Sequence, residues 1–178
     1  MFANKGKNID SIVLGAGCFW CVEAVFSMIK GLISTTIGYG GGTTPNPNYT
    51  SVSASPDRHA EVTIVEFDTS LTTINNILTV FFAMHDPSKS YMINDKKGEL
   101  YRSVILFKDD TQKVQIDNFI KEYQNQTPHK VNTEILLFKN FKETDIKYQN
   151  YYSSNPTKPF CKNVIGPKIA KLKAKGIL

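Results

Sequence analysis

The stretch Gly15-Ala16-Gly17-Cys18-Phe19-Trp20-Cys21 constrains this chain more than any other. The short apolar run Ser11-Ile12-Val13-Leu14 precedes it, and Val22, Val25, Phe26 and Ile29 follow at i, i+3, i+4 and i+7. The first pattern is that of a buried strand. The second is one face of a helix, which Gly31 can end. Small residues turn the chain between them, so the sequence predicts strand, tight turn and helix, with Cys18 in the helix's first turn. A thiol there meets free backbone N–H groups and the positive end of the helix dipole, and both lower its pKa. The only tryptophan, Trp20, lies two residues on. Phe19 and Trp20 read either as core or as the wall of a small apolar pocket for a methyl or thioether.

Strand patterns recur at 32–39, 60–67, 101–107 and 131–138, and helical patterns at 71–82, 114–123 and 144–152, with a basic amphipathic segment at 165–172. Thr69 or Ser70 is the expected N-cap of the second helix, and His85-Asp86-Pro87 stops it as a cap rather than as a catalytic pair. Residues 40–49 hold three glycines and two prolines and therefore form a loop. That loop lacks the Gly-Lys-Ser/Thr ending of a phosphate cradle. Interspersed strands and helices predict an α+β two-layer sandwich with one sheet. The 178 residues are read as a single domain, 1–178, with a loose arm at 1–9 and an irregular tail at 153–178.

Net charge is +5, and much of the lysine excess sits at the two ends, without a basic stripe interleaved with aromatics. Nucleic-acid binding is not expected. Three cysteines, an odd count, argue against a secreted disulfide scaffold. No stretch approaches the roughly 20 apolar residues of a membrane helix, and the run before Cys18 is too short for a signal-peptide core. A cytoplasmic protein is the expectation.

Cys18 and Cys21 form a Cys-x-x-Cys pair, which reads as a redox site, as half a zinc site or as coincidence. Zinc needs about two further ligands. Cys161 is isolated, and His59, His85 and His129 show no paired spacing, so no metal is expected. Glu61 shares a strand face with Thr63, Val65 and Phe67. Its carboxyl is either solvated at the strand end or desolvated, in which case it stays protonated and can donate.

Taken in order, GCFWC at 17–21, GYGGGTTPNPNY at 38–49, HAEVTIVEFD at 59–68, HDPS at 85–88, YRS at 101–103 and NPTKPFCKNVIGPK at 155–168 resemble the type A peptide methionine sulfoxide reductases. The resemblance implies a ferredoxin-like core with one mixed sheet and reduction of methionine-S-sulfoxide, free or in proteins. It implies Cys18 as nucleophile, Glu61 as proton donor, and Tyr49 and Tyr101 as hydrogen-bond donors to the sulfoxide oxygen. Phe19 and Trp20 would hold the substrate methyl group, and Asp95, one position early for the family's acid, would help position it. Cys161 matches the family's C-terminal resolving cysteine, with Cys21 as alternative resolver or relay. Neither metal nor organic cofactor is implied. The expected reductant is thioredoxin, and the expected state a monomer. This chain departs from the family pattern with Arg58 in place of glycine, Lys147-Tyr148-Gln149 in place of Tyr-His-Gln, and Phe160 in place of tyrosine. A disulfide exchanger using Cys18 and Cys21, and a binder of oxidised methionine without turnover, are the competing readings.

Overall fold

The computed structural model describes residues 8–48, 52, 58–89 and 96–178. Its strands are β1 (Ile9–Ala16), β2 (Leu32–Gly40), β3 (Ala60–Asp68), β4 (Ser103–Phe107), β5 (Glu134–Leu137) and β6 (Lys142–Glu143). Its helices are α1 (Phe19–Phe26), α2 (Ile74–Met84), α3 (Lys96–Leu100), α4 (Asp110–Asn125), α5 (Tyr151–Ser154) and α6 (Gly166–Ala174). A 3-10 turn covers Ile146–Tyr148 and a π turn covers Cys161–Ile165.

The six strands among the described residues join one sheet in the order β5-β4-β1-β3-β2-β6. The first four strands and two helices make two split β-α-β units. β3 lies between β1 and β2, and β1 lies between β3 and β4, which is the ferredoxin-like arrangement. Every neighbouring pair is antiparallel except β4 with β5, so the sheet is mixed, as expected.

Alternation along the strands decides the two faces. Ile12 and Leu14 of β1, Val65 and Phe67 of β3 and Ile105 of β4 pack against Val22, Val25 and Phe26 of α1, Phe81 and Phe82 of α2 and Ile116 of α4. Val13, Ala60, Val62, Val104 and Leu106 point the other way, under Phe138 and Phe141. Phe26, Phe67, Phe81 and Phe82 are fully buried, each worth about 1.5–3 kcal/mol of transfer free energy. Gly15 lets three strands close on one another. A Cβ there would lie 2.7 Å from Val104 Cγ1 and 2.9 Å from the Glu61 carbonyl oxygen.

Several boundaries differ from the sequence reading. Thr73 rather than Thr69 or Ser70 caps α2, its hydroxyl accepting the Asn76 N–H. Asp68 has instead drawn Ser70 into a local turn, accepting both its N–H and its hydroxyl. His85 is the C-cap of α2, as expected. α4 starts at Asp110, capped by Asp109. The stretch 144–152 is not one helix: after the 3-10 turn Gln149 is extended and Asn150 is left-handed at φ 55°. The stretch 153–178 is not an irregular tail. Its Cys161, Ile165, Ile169 and Leu172 lie at helical spacing and sit in the main core, a pattern that the surrounding prolines and lysines obscured.

Candidate active site

The C-terminal end of the central strand β1 delivers the chain to α1 through Gly17, whose φ of +90° is the kind of angle glycine takes freely. Cys18 then caps α1 with an extended backbone, its carbonyl accepting the N–H groups of Cys21 at 3.0 Å and Val22 at 3.2 Å. Beside it opens a cavity of about 320 Å³, lined by Cys18, Phe19, Trp20, Glu61 and Tyr101 together with Tyr39 and Tyr148. The cavity therefore gathers five of the residues singled out from sequence. Tyr49 and Asp95 lie outside the described residues.

Glu61 reaches this cavity because its face of β3 turns toward the helices and its partner in register is Tyr39 of β2. The side chain is only 4% exposed, and Oε2 accepts the Phe19 N–H at 2.9 Å. Burial lifts its pKa, the neighbouring Cys18 adds to the rise, and the Phe19 N–H opposes it. The result is a carboxyl pushed up to about 8. Of the two environments open to Glu61 from sequence, the desolvated one holds.

The thiols behave differently from the sequence expectation. Cys18 and Cys21 share a hydrogen bond that raises the proton affinity of Cys18 and lowers that of Cys21, while burial raises both. The N–H groups of Trp20 and Cys21, aimed at the Cys18 sulfur, oppose the rise without overcoming it. A simple helix-terminus argument predicts a depressed Cys18. The geometry instead gives a pair in which one proton is shared and held at Cys18, because Cys21 lies within its reach on the next turn. Cys161 is 1% exposed in the core, close enough to Cys21 for its charge to raise the Cys21 thiol.

Two supports of the site were not singled out from sequence. His59 is buried, with Nδ1 accepting the Gly42 N–H at 3.3 Å and Nε2 facing the Thr44 carbonyl at 2.8 Å, so it ties the glycine loop to the start of β3. Glu23 is buried on α1 and accepts the N–H groups of Asn150 at 2.7 Å and Tyr151 at 3.1 Å. Burial raises its pKa and those two donors resist the rise. Its place as the one charged residue in the otherwise apolar run of α1 was the available signal.

The family model described as peptide methionine sulfoxide reductase matches residues 10–177. The chain belongs to the peptide methionine sulfoxide reductase family. A relative named peptide methionine sulfoxide reductase MsrA, from Sulfolobus acidocaldarius, is 40% identical over 163 residues, covering 92% of this chain and 93% of its own. Reduced Mxr1 from Saccharomyces cerevisiae superposes with a TM-score of 0.76 at 26% identity, covering 86% of this chain and 90% of that one. Mxr1 in complex with Trx2 has a TM-score of 0.60 at 22% identity, covering 85% and 90%. Within this reductase fold Arg58 takes φ +61°, a left-handed angle that favours glycine, so the turn before Glu61 persists despite the substitution. Arg58 and the buried Arg102 both contact Glu134, across 2.5 Å and 3.1 Å, which anchors that turn to β5. Among the described residues there is no cluster of three or more metal-ligating side chains, and no helix is long and apolar enough to cross a membrane.

Proposed function

We propose that this chain reduces methionine-S-sulfoxide, free or in proteins, to methionine, with Cys18 as nucleophile and Glu61 as proton donor. The observation that carries the reading is a carboxyl held neutral near pH 7 and a cysteine sulfur lining one small cavity with aromatic walls. Sulfoxide sulfur is electrophilic, but oxide is a poor leaving group until it is protonated. Cys18 attacks as its shared proton passes to the Cys21 thiolate, while Glu61 passes a proton to the oxygen. The oxygen moves to Cys18 as the substrate S–O bond breaks. Two electrons leave the Cys18 sulfur, giving a sulfenic acid, the methionine thioether and the Glu61 carboxylate. Tyr101, with Tyr49, donates to the oxygen as it gains charge. Phe19 and Trp20 hold the methyl group, and Asp95 acts in positioning.

Cys21 resolves first. Its thiol attacks the Cys18 sulfur, an S–S bond forms, and water leaves. The 3.0 Å bond from the Cys21 N–H to the Cys18 carbonyl closes a turn. Such a turn keeps Cα atoms under about 7 Å, the span a disulfide needs. Cys161 then takes the disulfide from Cys18 by exchange at Cys21, reversing the order expected from sequence, and an external dithiol reduces it. That dithiol is thioredoxin, a reading supported by the Mxr1 complex with Trx2. The residues 1–178 act as one catalytic domain and as a monomer in the cytoplasm, where three unpaired cysteines stay reduced, without metal or organic cofactor and without a nucleic-acid partner. Mass spectrometry after one turnover with methionine-S-sulfoxide tests the scheme. One methionine released per protein and a Cys18–Cys21 disulfide support it, and no methionine released refutes it.

A further inference from the structure

Ile146 is 83% exposed, more than any other large apolar side chain among the described residues. Two positions on, Tyr148 lines the cavity and is itself 40% exposed. Both belong to the same 3-10 turn at the cavity's mouth. That turn is held from three sides. Trp20 Nε1 donates to the Tyr148 carbonyl at 3.0 Å. Gln149 grips β2 through the Ile37 N–H and carbonyl, each at 2.9 Å, and Glu23 fixes Asn150 and Tyr151. Trp20 is in turn stacked on Tyr151 at 3.9 Å between centroids. An apolar side chain on so rigid a base is presented to solvent, and a surface already ordered loses little entropy when something packs on it.

Resting on the reductase reading, we propose that the Ile146–Tyr148 turn is a docking surface for the polypeptide that carries the sulfoxide, and that it favours an apolar side chain next to the oxidised methionine. The sulfoxide enters the cavity past Tyr148, and the neighbouring residue lies along Tyr148 toward Ile146. Continuity with the cavity names the occupant: the chain attached to a bound sulfoxide has to leave the cavity across its rim, where Tyr148 stands. Lys147 sits over the Tyr148 ring at 4.9 Å and lies 3.6 Å from Asp145, so the charges flanking the apolar pair offset each other. The surface therefore selects by apolar contact rather than by charge.

Two capped peptides test this, one with leucine and one with glycine beside methionine-S-sulfoxide. Covering about half of an isoleucine side chain makes the leucine peptide the better substrate by roughly five- to tenfold in kcat/KM, expressed in KM. Ile146→Ser brings that ratio to about one, and Ile146→Leu restores it. A ratio near one in the wild-type protein, or a ratio that survives Ile146→Ser, overturns the docking surface. A wild-type protein that reduces neither peptide overturns the reductase reading along with it.

Discussion

Replacing Glu61 with glutamine separates the catalytic cost of this carboxyl from its structural cost. The side chain is buried and its pKa stands at about 8, against an ordinary 4.5. Between those values the folded protein holds a proton that the unfolded chain has released. Unfolding then releases protons, so stability falls as pH rises through the window and levels off above pH 8. Each unit is about 1.4 kcal/mol, giving a loss of roughly 3 kcal/mol by pH 7. Glutamine keeps an oxygen to accept the Phe19 N–H and carries no charge. Urea unfolding of the reduced proteins at pH 5, 6, 7 and 8 should show Glu61→Gln gaining on wild type at each step. In the same variant, single-turnover methionine release should slow about 10²–10⁴-fold, the worth of a positioned general acid. In the wild-type protein that step should lose its proton donor as pH rises through 8. A stability difference that stays constant with pH would mean the carboxyl is charged in the folded state, and the neutral-donor argument would fail with it.

The left-handed angle at position 58 makes a second forecast: Arg58→Gly should be more stable than Arg58→Ala by about 1 kcal/mol in urea, since both lose the contact with Glu134 and only glycine relieves the backbone. Cys21→Ser should still release one methionine per protein but leave Cys18 as a sulfenic acid that a dione reagent traps. Cys161→Ser should form the Cys18–Cys21 disulfide and then recycle slowly with thioredoxin. His85 contributes with the opposite sign from Glu61. Burial, opposed by the Phe81 carbonyl, brings its pKa down to about 4. Its stabilisation is complete above pH 6.5 and is lost as pH falls toward 4, about 3 kcal/mol in all. The stability gap between wild type and His85→Gln in urea should therefore move by that amount between pH 7 and pH 4.

What could be read in advance followed from short-range pattern. Ile12, Leu14, Val65 and Phe67 alternate because a strand does, and Val22, Val25 and Phe26 mark a helix face, so the sandwich and the placement of Cys18 were legible. Glu61 could be put on a strand face, but only the packing of α1 over that face decides whether it meets water. The thiol pair was misjudged because a helix terminus acts on one sulfur, whereas the hydrogen bond between Cys18 and Cys21 acts on two. Tyr148 and Gln149 could be matched to the family's Tyr-His-Gln, but their contacts were hidden in a stretch that looked helical. Their positions depend on Ile37, Trp20 and Glu23, more than a hundred residues away along the chain.

The enclosure of Cys161 sets how this molecule ages. Peroxide and alkylating agents reach a sulfur only where solvent does, and at this position solvent is shut out by Ile165, Ile169 and the helices around them. Damage from outside must therefore fall on Cys18, at the open cavity, while the third thiol meets an outside reagent only when the C-terminal turn loosens, as it must each time the disulfide is passed to Cys161.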